Sequence, residues 1–191
     1  MNKKEVPMDI KLSVFIATSL DGYIARYNGK LDWLEINSDK NKSEDLGYEN
    51  FIGSVDCIVM GRNTFEKVVS FDTWPYHNKR VIVLSRQWKH IPDQFMDLAE
   101  LYSGKPELLT VELQNQGVKR VYVDGGITIQ SFLQKDLLTD ITITTVPIIL
   151  GKGLPLFGLT FGDLRLELLE SRSFESGFVQ SRYRFIPNAG K

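Results

Sequence analysis

The sequence predicts a three-layer α/β fold: a mostly parallel central sheet, helices on both faces, and antiparallel strands at the C-terminal end. Three observations carry that expectation. Short runs rich in Val, Ile and Thr alternate with helical patterns along the chain. Several of the runs are apolar almost throughout, as strands covered on both faces must be. The last stretch, LRLELLESRSFESGFVQSRYRF, reads as two strands joined by a turn at Ser176-Gly177, which adds antiparallel strands at one edge.

The elements follow in order. KLSVFIA (11–17) partly alternates, and DCIVM (56–60) is almost wholly apolar. RVIVLS (80–85), VKRVYV (118–123) and DITITTVPIIL (140–150) complete the internal strands. Residues 43–54, 63–70, 106–116 and 127–136 read as helices, and Gly117 stops the third. With no internal repeat, low-complexity tract or Pro/Ser-rich linker, the 191 residues read as a single domain, 1–191, with a core over about 10–186 and frayed ends.

Charge and composition exclude several partners. Twenty-three basic residues against 24 acidic ones leave no general field to draw in nucleic acid or a membrane surface. No signal peptide and no apolar run of about 18 residues is present, so a cytoplasmic location is expected. Cys57, the single cysteine, cannot form an internal disulfide and reads as a core thiol in a reducing compartment. His77 and His90, far apart and without a Cys pair or HExxH, give no zinc site, so no metal is expected. GxSxG and Walker A patterns are absent, and Gly151-Lys152-Gly153 precedes Leu-Pro and does not open a helix.

Three segments share one arrangement, a strand end that delivers small or polar residues to a loop or helix start. In Gly61-Arg62-Asn63-Thr64, a glycine frees the turn and is followed by a guanidinium, a hydroxyl and free N–H groups. That set suits a phosphate, although Asn63 or Thr64 serving as an ordinary N-cap, with Arg62 solvated, reads equally well. Leu84-Ser85-Arg86 offers a hydroxyl and a guanidinium for a second phosphate, or is a solvated turn. In Asp124-Gly125-Gly126-Ile127-Thr128, two glycines permit close approach of a pyrophosphate, or simply a tight strand–helix turn. A fourth segment, ATSLDGYIA continuing to GKLDWL, is a long Gly-punctuated loop of the kind that carries function. Within it Asp21-Gly22 also reads as a plain turn, and Trp33 as a core anchor.

In order, ATSLDGYIA, LDWL, VMGRNTFE, VIVLSR, VDGGITIQSFL and VPIILGKGLPLF resemble the dihydrofolate reductase superfamily. The closest resemblance is to its bacterial branch related to the pyrimidine reductase domain of riboflavin synthesis. It implies a dihydrofolate reductase-like fold with NADPH lying across the strand ends. By that likeness Gly61, Arg62, Asn63 and Thr64 hold cofactor phosphates, Leu84, Ser85 and Arg86 the 2′-phosphate end, and Gly125, Gly126, Ile127 and Thr128 the pyrophosphate. Ala17 and Ile24 border the nicotinamide, while Trp33 faces the substrate pocket and the loop of Gly151 and Gly153 either walls that pocket or forms part of a dimer contact.

The resemblance also implies direct hydride transfer to an electron-poor C=N or C=O carbon of a small heterocycle, pterin-like or pyrimidine-like. Asp124, which takes the place of an acidic residue before the Gly-Gly, is the first candidate for proton chemistry and Asp21 the second. Each has a structural alternative, Asp124 as a helix cap and Asp21 as a turn residue. Where folate reductases carry a carboxylate a few residues after the tryptophan, this sequence has Ser38, with Glu35 and Asp39 nearby. A non-catalytic nucleotide-binding or interaction protein on the same scaffold is therefore the alternative. Relatives of this branch are often homodimers, and the VPIIL run is expected either to pair or pack across an axis or to be a central strand.

Overall fold

The computed structural model describes residues 9–35, 46–76, 78–160 and 162–187. Among the described residues ten strands form: β1 (Lys11–Ser19), β2 (Tyr23–Ala25), β3 (Cys57–Gly61), β4 (Arg80–Leu84), β5 (Glu100–Tyr102), β6 (Arg120–Asp124), β7 (Asp140–Val146), β8 (Leu154–Pro155), β9 (Leu166–Ser173) and β10 (Val179–Phe185). The α-helices are α1 (Tyr48–Gly53), α2 (Arg62–Val68), α3 (Pro106–Asn115) and α4 (Gly126–Leu133).

Eight strands make one sheet in the order β5-β4-β3-β6-β1-β7-β10-β9. The pairs from β5 through to β7 are parallel, and β10 runs antiparallel to both β7 and β9. Strands β2 and β8 form a separate antiparallel pair. The predicted α/β class, parallel centre and antiparallel terminal hairpin are all present.

Alternation along the central strands builds two cores. On β3, Cys57 and Val59 face the helices α3 and α4 through Leu109, Leu113, Ile129 and Phe132. Ile58 and Met60 face the other way, onto Phe51 of α1 and Phe65 of α2. A strand buried on both faces has no polar side to show, which is why DCIVM carries almost none. Cys57 is fully buried, and burial pushes its thiol up to about 12, so it is an inert packing group.

Three expectations change. The run 140–150 is a strand only to Val146, because Pro147 lacks the N–H that would continue the ladder. Strand β7 lies between β1 and β10, so it is a central strand with no free edge for a second molecule. The edges of the sheet are β5 and β9, and every residue of β9 is exposed. The helix expected over 43–54 is described from Tyr48 to Gly53, its first three residues lying outside the described positions. The strands β2, β5 and β8 did not stand out in the sequence.

Candidate functional site

The parallel register sets Met60 of β3 beside Asp124 of β6, so the turns Gly61-Arg62 and Gly125-Gly126 leave the sheet side by side. They interlock. A Cβ on Gly61 would stand 2.9 Å from the hydroxyl of Thr128, and one on Gly125 would collide with the hydroxyl of Thr64. Each glycine thus leaves room for a threonine from the opposite turn. Gly125 also holds φ at +89°, where side chains with a Cβ are strained. Gly126 faces the Ile24 Cδ1, 2.7 Å from where a Cβ would lie.

Neither helix that starts here is capped by a side chain. Gly61 and Gly125 are the cap residues of α2 and α4, and both helix starts lack a side-chain acceptor. The N-cap alternative for Asn63 and Thr64 is not what forms, since both lie in the first turn of α2. The alternative for Asp124 also differs. Its Oδ1 accepts the N–H of Gly125 at 2.8 Å, a contact with the turn and not with the first turn of α4. The backbone donors of two helix starts are therefore left for an outside acceptor, which is the chemistry of an anion cradle.

The third strand end lies on the same line, with Gly61 of β3 beside Leu84 of β4. Ser85 closes its turn by accepting the N–H groups of Gln87 and Trp88 at 3.2 and 3.1 Å. Arg86 is exposed, and among the described residues no ion pair holds it. Arg62 is held loosely, 3.9 Å from Glu66 and 3.4 Å from Asn63. The ends of β4, β3 and β6 thus span two strand spacings, about 10 Å. Two turns open to an anion and two available guanidinium groups stand along that line.

The residues of the fourth segment take different places. Ile24 joins the cradle through Gly126, and half-buried Ala17 packs beside Trp33 at the end of β1. Gly153 lets the loop before β8 press onto β2, since a Cβ there would strike the Ala25 carbonyl and the Tyr23 side chain. Trp33 is 1% exposed and packs with Val146 and Phe178; its Nε1 has no partner among the described residues. Ser38, Asp39 and His77 lie outside the described residues, and Glu35 is exposed.

The two candidate carboxylates have opposite surroundings. Asp21 is a clasp: it accepts from the Ser19 hydroxyl at 2.6 Å and from the N–H groups of Leu150 and Gly151 at 3.1 and 2.8 Å. The Ser19 hydroxyl, more than those two N–H groups, holds its carboxyl below the usual range. Asp124 sits at the end of β6, where burial pushes its carboxyl up against the opposing pull of the Gly125 N–H and the hydroxyls of Tyr122 and Tyr76. Tyr76 donates to Oδ2 at 3.3 Å. A carboxyl whose proton affinity is raised, as at Asp124, is better suited to hold and give a proton than one whose affinity is lowered, as at Asp21.

Sequence reasoning missed the tyrosines. Tyr122, two residues before Asp124 on β6, shares its face, and strand periodicity could have found it. Tyr48 on α1 and Tyr76 in the segment between α2 and β4 gave no signal, because only the tertiary fold brings them there. Among the described residues no helix is long and apolar enough to cross a membrane.

Residues 10–180 match the family described as the RibD C-terminal domain. A putative riboflavin biosynthesis protein from Shewanella sp. PV-4 is 41% identical, with TM-score 0.87 over 93% of this chain and 100% of that one. The uncharacterized protein YwjB of Bacillus subtilis is 31% identical over 92% of this chain and 98% of its own length. Dihydrofolate reductase from Enterococcus faecalis, in complex with NADP(H), shares the fold at TM-score 0.65 and 16% identity, covering 93% of this chain and 97% of that one. The family match and these likenesses agree, and the chain belongs to the RibD C-terminal domain family of reductase-like proteins.

Proposed function

We propose that the chain is an NADPH-dependent reductase that delivers a hydride to a small heterocyclic substrate, pterin-like or pyrimidine-like. The observation that carries this reading is the line of strand ends β4, β3 and β6, with uncapped helix starts interlocked through Thr64 and Thr128. The nicotinamide cofactor supplies the hydride when bound. The rest is the work of the chain's own residues.

Gly125, Gly126 and the N–H groups at the start of α4, from Ile127 to Thr128, receive the pyrophosphate. Gly61 to Thr64 flank it, and Ser85 and Arg86, at the end of Leu84, take the 2′-phosphate. Ile24 and Ala17 border the nicotinamide, and the loop of Gly151 and Gly153, pinned by Asp21, closes the substrate side with Trp33 behind it. Reduction of a C=N bond places the hydride on carbon and a proton on nitrogen. Asp124 is the group we assign to supply that proton, because burial raises its proton affinity while that of Asp21 is lowered. Asp21 acts by holding the loop.

The test is titration with NADPH and NADH followed by a substrate panel. Arg86→Ala should weaken NADPH roughly ten- to a hundredfold, the worth of one charge-assisted phosphate contact, and leave NADH nearly unchanged. Absence of NADPH binding at micromolar concentration overturns the reductase reading. Binding without oxidation by any dihydropterin or pyrimidine favours a non-catalytic binding protein on the same scaffold.

A further inference from the structure

On the sheet face that carries α1 lies a cavity of about 290 Å³. Helix α1 has six residues, and its Phe51 packs on Phe15 of β1 with ring centroids 4.9 Å apart. Beyond Phe15 the same row continues across three more strands as Thr142 of β7, Arg182 of β10 and Glu170 of β9. That row lines the cavity together with Arg120, Arg172 and the buried Gln180. The place is distinct from the line of strand ends, since Arg120 and Asp124 stand at opposite ends of β6, about 13 Å apart. None of the residues assigned above to cofactor or substrate lines the cavity.

The three guanidinium groups differ in how they are held. Arg120 is fixed, donating to the hydroxyls of Ser13 and Ser54 at 3.0 and 2.7 Å, with Asp140 3.5 Å away. Arg182 has Glu170 at 3.9 Å. Arg172 has no carboxylate partner among the described residues; it donates to Gln180 Oε1 at 3.4 Å and lies 5.0 Å from the centre of the Phe174 ring. The Gln180 amide is itself locked, because its Nε2 donates to the Leu46 carbonyl and the Thr144 hydroxyl, both at 2.9 Å. A buried side chain therefore aims the guanidinium whose charge is left unmatched.

Two carboxylates against three guanidinium groups leave one positive charge, at Arg172. One negative charge balances it, whereas a phosphate monoester, at about −1.5 to −2 near neutrality, overshoots. The planar fork of a guanidinium matches a carboxylate. The volume is that of about ten waters, more than a bare ion fills and close to the small end of organic-ligand sites. Phe15 offers an apolar wall. We propose that the cavity binds a small organic monocarboxylate, its charge on Arg172 and its flat apolar body against Phe15. The proposal does not depend on the reductase reading.

Two variants carry opposite signs. Arg172→Met keeps an unbranched stem, removes the charge and weakens the ligand about tenfold or more. Glu170→Gln removes a like charge and tightens it about two- to fivefold. A general loss of packing would weaken both. Both positions lie on the exposed strand β9, so neither substitution touches a core.

The experiment titrates the full chain, labelled with 15N, with benzoate as the probe and follows the backbone amides by NMR. Saturable shifts at millimolar benzoate centred on Phe15, Thr142 and Gln180, with benzamide about tenfold weaker or worse, support the proposal. So do the opposite signs of the two variants. No saturation at tens of millimolar, shifts that excess NADPH reverses, inorganic phosphate binding as tightly as benzoate, or variants that move together overturn it. A dimer in sedimentation that Arg172→Met dissociates and that benzoate does not enter gives the cavity to a second copy, and overturns it as well.

Discussion

Gly125 carries two constraints at once, a φ of +89° and the Thr64 hydroxyl lying where its Cβ would be. Gly125→Ala should therefore cost about 1–3 kcal/mol through backbone strain alone, with a further loss from the clash. Adding Thr64→Ala should recover the steric part and not the strain, which paired thermal melts measure. At Asp124 the expected effect is one of pH. Its folded proton affinity is raised by burial, so the stability the proton contributes is complete below the ordinary aspartate range. It is lost as pH rises through the folded value. Asp124→Asn should flatten melting temperature against pH over that window and leave the more acidic points unchanged. The doublet of glycines was legible in the sequence because only a close approach calls for both. Tyr76, the partner of Asp124, was not, since it reaches Asp124 from 48 residues away and no local pattern marks such a contact.

Strands with five or more residues were legible because a buried strand must be apolar on both faces, and β3, β4 and β6 are. β2, β5 and β8, of two or three residues, are too short to show a period. The end of β7 was overrun because the apolar character continues past it, and Ile148 and Leu150 pack in the small core around Trp33. Periodicity records burial, and burial outlasts the strand. The same loop gives a prediction at this scale. Asp21 alone fixes the amides of Leu150 and Gly151 to the β1–β2 turn, so Asp21→Ala should speed hydrogen exchange at those two amides at least tenfold. Its proton affinity is lowered in the fold, so wild-type protection should hold above the ordinary carboxylate range. Below it, protection should fall away as pH drops through the folded value.

The order of the whole sheet could not be read from the chain. In the sheet β6 enters between β3 and β1. That insertion puts the Gly-Gly turn against the Gly-Arg-Asn-Thr turn and brings three separate motifs onto one line of strand ends. A ligand lying along it would bridge the ends of β4, β3 and β6 and would stabilise the folded molecule as a unit. At a hundred times its dissociation constant, NADPH should add about 2.7 kcal/mol to the unfolding free energy. For a chain of this size that corresponds to a rise of roughly 5–10 °C in melting temperature. NADH at the same concentration should give clearly less, because it leaves the β4 end without a phosphate for Arg86. In Arg86→Ala the two cofactors should raise the melting temperature nearly equally. A wild-type protein that NADPH and NADH stabilise alike would show that the line ends at β3 and that the Ser85-Arg86 turn lies outside the site.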